Sequence, residues 1–209
     1  DEQPERFQSR TLTPARFEED MQYLTNLGFE TVDTEDLALF LEGKKQLPAR
    51  PIMVTIDDGY TSVYEITFPV LRSLQQKAVA TVIGASVGRQ TNLFDNTPIN
   101  PHFSWEEARE MKESGFVDIQ SHSFDLHHPG TSPGTGRGAA PLPLESEEEY
   151  IERFTTDTLN NHHYIEDNLP HHRVALYAYP YGIYNEWSET VLKQLGYVAT
   201  LTIESGVNE

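Results

Sequence analysis

The chain has 209 residues and a formal net charge of −18, because 33 Asp and Glu residues outnumber 15 Lys and Arg residues. This length suffices for one domain with a substantial core. The charge disfavours nucleic acid as a partner, since phosphate backbones bind clustered Lys and Arg. The absence of cysteine excludes disulfides, a thiol nucleophile and cysteine-ligated zinc, and no apolar run approaches the roughly 18 residues of a transmembrane helix.

The first quarter of the chain alternates between helix-like and strand-like segments. Residues 13–28 predict a helix with Thr13 as its N-cap, and a second helix with Thr34 as its N-cap ends near Gly43. Residues 51–56, "PIMVTI", form a continuous apolar run between Pro and Asp. Such a run predicts a strand buried on both faces.

The same alternation continues to the end of the chain. Further helices are predicted at 68–77, 104–115, 145–169 and 185–196, and further strands at 78–85, 116–122, 173–180 and 197–203. Roughly five or six such units predict an α/β fold with a parallel sheet under helical cover. We expect a distorted or incomplete (β/α) TIM-like barrel, with a doubly wound sheet as the alternative.

One segment does not follow this alternation. Residues 127–145, "HHPGTSPGTGRGAAPLPLE", are rich in Pro, Gly and Ser and exceed the usual length of a connection. They predict a mobile loop, about 128–145, within a single domain that spans residues 1–209. In a barrel such a loop would lie beside the strand ends that carry the functional residues.

Three predicted strand ends concentrate polar and aromatic side chains. They carry, in chain order, Asp57, Asp58 and Gly59; His122, Asp125, His127 and His128; and Tyr179, Pro180, Tyr181 and Gly182. Each group alone is typical of a turn or a solvated loop, but the carboxyl ends of parallel strands share one face. Two imidazoles and one carboxylate would form a metal site with open coordination positions, and a second aspartate would remain free to accept a proton.

Three motifs carry a resemblance to a known family. "TIDDG" at 55–59, "HSFDLH" at 122–127 and "YPYG" at 179–182 occur in the order found in polysaccharide deacetylases, the NodB-like carbohydrate esterases of family 4. The chain resembles that family from about residue 50 onward. Most members space the two histidines four apart, whereas His122 and His127 are five apart, which is similar to the deacetylases that act on poly-β-1,6-N-acetylglucosamine in biofilms.

This resemblance implies a role for each matching residue. Asp57 would be the general base and Asp58, His122 and His127 the ligands of one divalent metal ion, with His128 as a rival ligand. The metal would be zinc foremost, with cobalt, nickel or iron also compatible. The Tyr181 backbone N–H would stabilise the oxyanion. The residues expected to contact the sugar or support the site are Tyr179, Pro180 and Asp125.

The implied reaction is hydrolysis of N-acetyl groups on an N-acetylglucosamine polymer, at an extracellular or cell-surface location. Two departures leave alternatives open. Ala178 stands where the wider family has arginine, and no histidine follows His172 to match the family's general acid. In the biofilm subgroup that acid precedes the first helix, so we expect it outside this sequence. A weak or inactive carbohydrate-binding module, or a deacetylase of chitin oligomers or peptidoglycan, is the alternative.

Overall fold

A computed structural model describes residues 12–128 and 137–206. Its helices are α1 Pro14–Asn26, α2 Thr34–Leu41, α3 Phe68–Leu74, α4 Trp105–Glu113, α5 Glu147–Asn168 and α6 Glu186–Gln194. Its strands are β1 Glu30–Thr31, β2 Pro51–Ile52, β3 Thr55–Ile56, β4 Ala78–Val82, β5 Val117–Ser121, β6 Leu176–Ala178 and β7 Ala199–Leu201. None of the helices in these two ranges combines the length and apolar content that a bilayer crossing requires.

The five strands β3 to β7 form one sheet in chain order, and every pair is parallel. A doubly wound sheet would reverse its strand order at a switch point, and this sheet has no reversal. Strands β1 and β2 form a separate parallel pair. Within the described residues the two sheets are not joined, so the structure is an open half-barrel, which confirms the distorted (β/α) barrel predicted from the sequence.

The predicted helices are present, with one correction at a helix start. Thr13 caps α1 by accepting the Arg16 N–H. The N-cap of α2, however, is Asp33 and not Thr34. The Asp33 side chain accepts the Asp36 N–H at 2.8 Å, and the Asp36 side chain accepts the Asp33 N–H at 3.2 Å. This reciprocal pair satisfies two backbone donors, which is more than a cap at Thr34 would provide.

The prediction of one buried strand over residues 51–56 was wrong. The structure divides this run into β2, which pairs with β1, and β3, which is the edge of the five-stranded sheet. Pro51 and Thr55 are exposed. The apolar run lies at the opening of the half-barrel, where a strand is covered on fewer sides than in the centre of a sheet.

Strand β4 is an interior strand of the sheet, and all five of its residues are buried. Helix α5 packs against β5 and α6 and also anchors the end of the Pro- and Gly-rich segment. Ala139 is fully buried there, and its carbonyl accepts the Tyr150 hydroxyl at 2.8 Å. Residues 129–136 of the predicted mobile loop lie outside the described residues, so its mobility stays a prediction.

Candidate active site

The two aspartates at the end of β3 are directed apart by a tight turn. Asp58 has a left-handed backbone conformation with φ 75°, and Gly59 follows with φ 82°. Asp tolerates this region better than most residues do. The side chain of Asp57 is exposed, and one carboxylate oxygen accepts the Thr81 hydroxyl at 2.8 Å. The side chain of Asp58 is mostly buried and turns towards β5.

Two histidines from the end of β5 meet the Asp58 carboxylate. The Nε2 atoms of His122 and His127 each lie 3.4 Å from Asp58 Oδ1. The Nδ1 atom of His122 lies 2.9 Å from the Ala178 carbonyl oxygen. A carbonyl can only accept, so Nδ1 carries the hydrogen and Nε2 presents its lone pair towards Asp58.

Residues of the third motif contact the Nδ1 atom of each imidazole, the ring nitrogen that does not face Asp58. The Ala178 carbonyl accepts a hydrogen bond from His122 Nδ1, and the Tyr181 hydroxyl lies 3.3 Å from His127 Nδ1. The Tyr181 ring also stacks on the His127 ring, with centroids 4.4 Å apart. Groups that bind the second nitrogen of a ligating histidine fix its tautomer and orientation. The segment 178–181 therefore orients both histidines.

The three side chains fit a single divalent metal ion. Their ligand atoms all lie within 4.8 Å of one another. Tetrahedral coordination with metal–ligand bonds of about 2.1 Å would separate the ligand atoms by about 3.4 Å, which matches both Asp58–imidazole distances. Asp58 Oδ1 is buried, and no hydrogen bond reaches it from the part of the chain that the structure describes. Such an oxygen is costly to bury unless a cation or a donor faces it.

The protonation states of the site also suit a cation. Burial raises the pKa of Asp58, but the adjacent imidazoles of His122 and His127 outweigh it and hold the pKa at about 2. Burial lowers the pKa of His127, and the Asp58 charge offsets this only in part. An ionised carboxylate and a neutral imidazole are the forms that bind metals.

The structure separates His128 and Asp125 from this group. The His128 ring pairs with Asp125, at 3.7 Å between Nε2 and Oδ2. It is therefore His127, and not the rival His128, that lies beside Asp58. Asp125 faces His128 rather than either member of the imidazole pair.

The structure also separates two residues of the third motif from the metal ligands. The Tyr179 side chain is 3% exposed and packs against Tyr177 and Tyr184, with ring centroids 5.1 Å and 5.4 Å away. Pro180 is buried as well. The sequence expected both at the sugar pocket, and this expectation stays a prediction; the structure shows both side chains buried. The role of the Tyr181 N–H in binding the oxyanion stays a prediction.

Sequence reasoning missed two supports of the site, Thr81 and the Ala178 carbonyl. Thr81 could have been found from the β3–β4 register, because Ile56 pairs with Ala80 and so places Asp57 beside Thr81. The Ala178 carbonyl leaves no sequence signal, since any residue has one. His102 is buried against Tyr60 with ring centroids 4.8 Å apart, and neither ring nitrogen has a hydrogen-bond partner among the described residues.

Comparison with known proteins identifies the family of this chain. The sequence profile of the polysaccharide deacetylase family matches residues 44–200, so the chain belongs to that family. The poly-beta-1,6-N-acetyl-D-glucosamine N-deacetylase of Escherichia coli (strain K12) is 29% identical over 210 residues, which cover 90% of this chain and 30% of that protein. The chain thus spans about a third of the length of that curated relative.

Solved structures share the fold. A de-N-acetylase from Aggregatibacter actinomycetemcomitans superposes with a TM-score of 0.83 at 24% identity, covering 97% of this chain and 80% of that chain. The BpsB deacetylase domain from Bordetella bronchiseptica superposes with a TM-score of 0.77 at 26% identity, covering 98% of this chain and 82% of that chain. The open half-barrel is therefore the deacetylase fold of this family.

Proposed function

We propose that the protein hydrolyses N-acetyl groups of an N-acetylglucosamine polymer, with poly-β-1,6-N-acetylglucosamine as the favoured substrate. The observation that carries the proposal is the Asp58–His122–His127 group with the exposed carboxylate of Asp57 beside it. The names of the Escherichia coli relative and of the two solved structures support the reaction class. A polymer substrate of this kind favours an extracellular or cell-surface location.

The side chains have distinct tasks in this reaction. When bound by Asp58, His122 and His127, a divalent ion lowers the pKa of a water and polarises the acetyl carbonyl; the donor set suits zinc, and also cobalt, nickel or iron. Asp57, oriented by Thr81, removes the proton from the attacking water. The water oxygen bonds to the acetyl carbon, the C–N bond breaks, and the leaving nitrogen takes a proton to become an amine.

A weak or inactive carbohydrate-binding module is the second candidate, and one observation favours it. Ala178 stands where the family pattern has arginine, and its small side chain is buried. Asp57 is oriented by the neutral hydroxyl of Thr81. Residue 178 therefore does not supply the orienting contact that the family's arginine would give to the catalytic aspartate.

Acetate release from a β-1,6-linked N-acetylglucosamine oligomer, with chelated protein and after addition of zinc, cobalt or nickel, tests the proposal. We expect metal-dependent release that Asp57→Asn lowers by about 10²–10⁴-fold, while that variant still binds one metal ion. Asp20→Asn, which changes a carboxylate paired with Arg16 on α1, is the matched control and should keep the wild-type rate.

The outcomes separate the candidates. Absence of acetate release, with one metal ion and the oligomer still bound, would favour the binding module. Release from chitin oligomers or peptidoglycan fragments alone would keep the reaction and change the substrate class.

A further inference from the structure

The loop between the two ligand histidines is held from outside by one carboxylate on α5. Asp157 is only 9% exposed. Its Oδ1 accepts the backbone N–H of Phe124 at 2.9 Å, and its Oδ2 accepts the N–H of Asp125 at 2.8 Å. Both of these N–H groups lie between His122 and His127. One side chain from a distant helix therefore satisfies two consecutive donors in the middle of the metal-binding loop.

The carbonyl groups of the same loop are held on its other side. The Ser123 carbonyl accepts the Gly84 N–H at 3.1 Å, and the Phe124 carbonyl accepts the Ala85 N–H at 2.9 Å. A Cβ on Gly84 would lie 2.2 Å from Asn161 Oδ1, so the close packing there requires glycine. The loop is thus clamped between the turn after β4 and helix α5.

The loop needs this support because its own conformation is unfavourable. Ser123 has φ 73°, a left-handed conformation that is uncommon for residues other than glycine. Such a conformation persists only where the surroundings enforce it. The five-residue spacing of the two histidines depends on this turn, since it brings both imidazoles back to Asp58.

We propose that Asp157 is a positioning residue, which fixes the loop so that His122 and His127 hold the separation that metal binding requires. The inference rests on the proposed function only in taking the triad as a metal site. Two neighbouring N–H donors require two acceptor oxygens on one side chain, and a carboxylate supplies both. An Asn side chain would accept one N–H and turn its NH₂ group towards the other.

The carboxylate is retained at a cost to the protein. Burial raises the pKa of Asp157 to about 6, and the two backbone N–H groups counteract burial only in part. A side chain placed there for stability alone would be easier to bury if it were neutral. Its contacts with the ligand loop explain why a carboxylate is present.

Metal affinity measured apart from activity tests this inference on the whole chain. We would compare Asp157→Asn with Ile165→Val, which loosens a fully buried apolar position further along the same helix. The readouts are the Kd for cobalt from competition with a chromophoric chelator, the cobalt absorption spectrum, and the melting temperature of the metal-free protein. Residues that orient metal ligands typically contribute about 10–100-fold to affinity.

We expect Asp157→Asn to weaken cobalt binding by about tenfold and to alter the spectrum. Ile165→Val should lower the melting temperature yet keep the Kd within about twofold. Asp157→Glu keeps both oxygens but adds a methylene to a packed site, so it should be the less stable of the two Asp157 variants and the better metal binder. If Asp157→Asn does not fold, Asp157→Glu takes its place in the comparison of cobalt affinities.

Wild-type cobalt affinity in Asp157→Asn would overturn the inference, and so would affinity that falls in step with stability across the three variants. Wild-type protein that binds one cobalt ion but releases no acetate would contradict the proposed function and leave the comparison of variants valid. Wild-type protein that binds no cobalt would overturn both.

Discussion

The two strand ends that bring Asp58, His122 and His127 together are stabilised in different ways. At the end of β3, a left-handed Asp58 and the glycine after it form the turn that directs Asp58, whereas Thr81 orients Asp57, the neighbour that is not a ligand. At the end of β5, the imidazole of His122 depends on a carbonyl 56 residues away, and the loop after it depends on Asp157 of α5. The first ligand is placed by local chain geometry and the other two by tertiary contacts.

This difference has a consequence for how each region responds to change. A local turn is sensitive to the residue types within it, since strain and close contacts act over a few residues. A clamped loop is sensitive to distant residues and to their charge state. A change in pH should therefore act on the clamped loop after β5, and a change of Gly59 on the turn after β3. A change in the third motif should act on His127.

The largest expected effect is a pH dependence of stability at the clamped loop. The pKa of Asp157 is raised to about 6 in the folded state, against about 3.9 when unfolded. Between these values the folded state retains a proton that the unfolded state has lost. The contribution of Asp157 to stability is therefore full below about pH 4 and is lost as the pH rises through 6, by about 3 kcal/mol.

Urea unfolding of the metal-free protein from pH 4 to 7 measures this contribution. The unfolding free energy of Asp157→Asn minus that of wild type should become more positive as the pH rises, because wild type loses this stability and the variant does not. Asp36→Asn is the matched control. Burial raises the pKa of Asp36, but its hydrogen bonds with Lys45 and Lys77 outweigh burial and hold the pKa at about 2. The stability that ionised Asp36 contributes is lost only below about pH 4. The difference in unfolding free energy between Asp36→Asn and wild type should therefore be flat from pH 4 to 7. A flat difference for Asp157→Asn would contradict the prediction.

The next effect is expected at the local turn. Gly59→Ala would adopt φ 82° and place its Cβ 3.1 Å from Val82 Cγ1, so we expect a loss of about 2 kcal/mol in unfolding free energy. Gly28→Ala has φ 75° with nothing within 4 Å of its Cβ, so strain alone should cost it about 1 kcal/mol. Equal losses in the two variants, measured by urea unfolding, would show that the contact with Val82 does not matter.

The smallest effect is expected at the contact between the third motif and His127. Tyr181→Phe removes the hydroxyl near His127 Nδ1 and keeps the ring that stacks on the imidazole. We expect cobalt binding to weaken by about tenfold, the lower end of the range for groups that orient a metal ligand. Tyr184→Phe, whose exposed hydroxyl lies 3.5 Å from Glu204, should leave the Kd unchanged. Equal Kd values for the two variants would indicate that stacking alone holds His127.

Sequence patterns were sufficient to predict most of the helices and strands and the class of the fold. Helix starts such as Thr13 and the one predicted at residue 104 are set within a single turn, and the structure confirms both, the second with a capping box of Ser104 and Glu107. The apolar run at 51–56 was misread because its composition reports hydrophobicity and not the number of covered faces. The doubly wound alternative was excluded only by the strand order, which depends on contacts between strands far apart in the chain.

The sequence by itself determined which side chains could serve as metal ligands and base, because residue types and their places at strand ends limit the chemistry. Tertiary structure decided which of them meet. It brought His127 rather than His128 to Asp58 and placed the Tyr179 ring in the core. It also recruited Ala178 and Asp157, whose roles depend on a backbone carbonyl and on a helix that packs beside the loop. Contacts of that kind form only when the chain folds, so no local pattern records them.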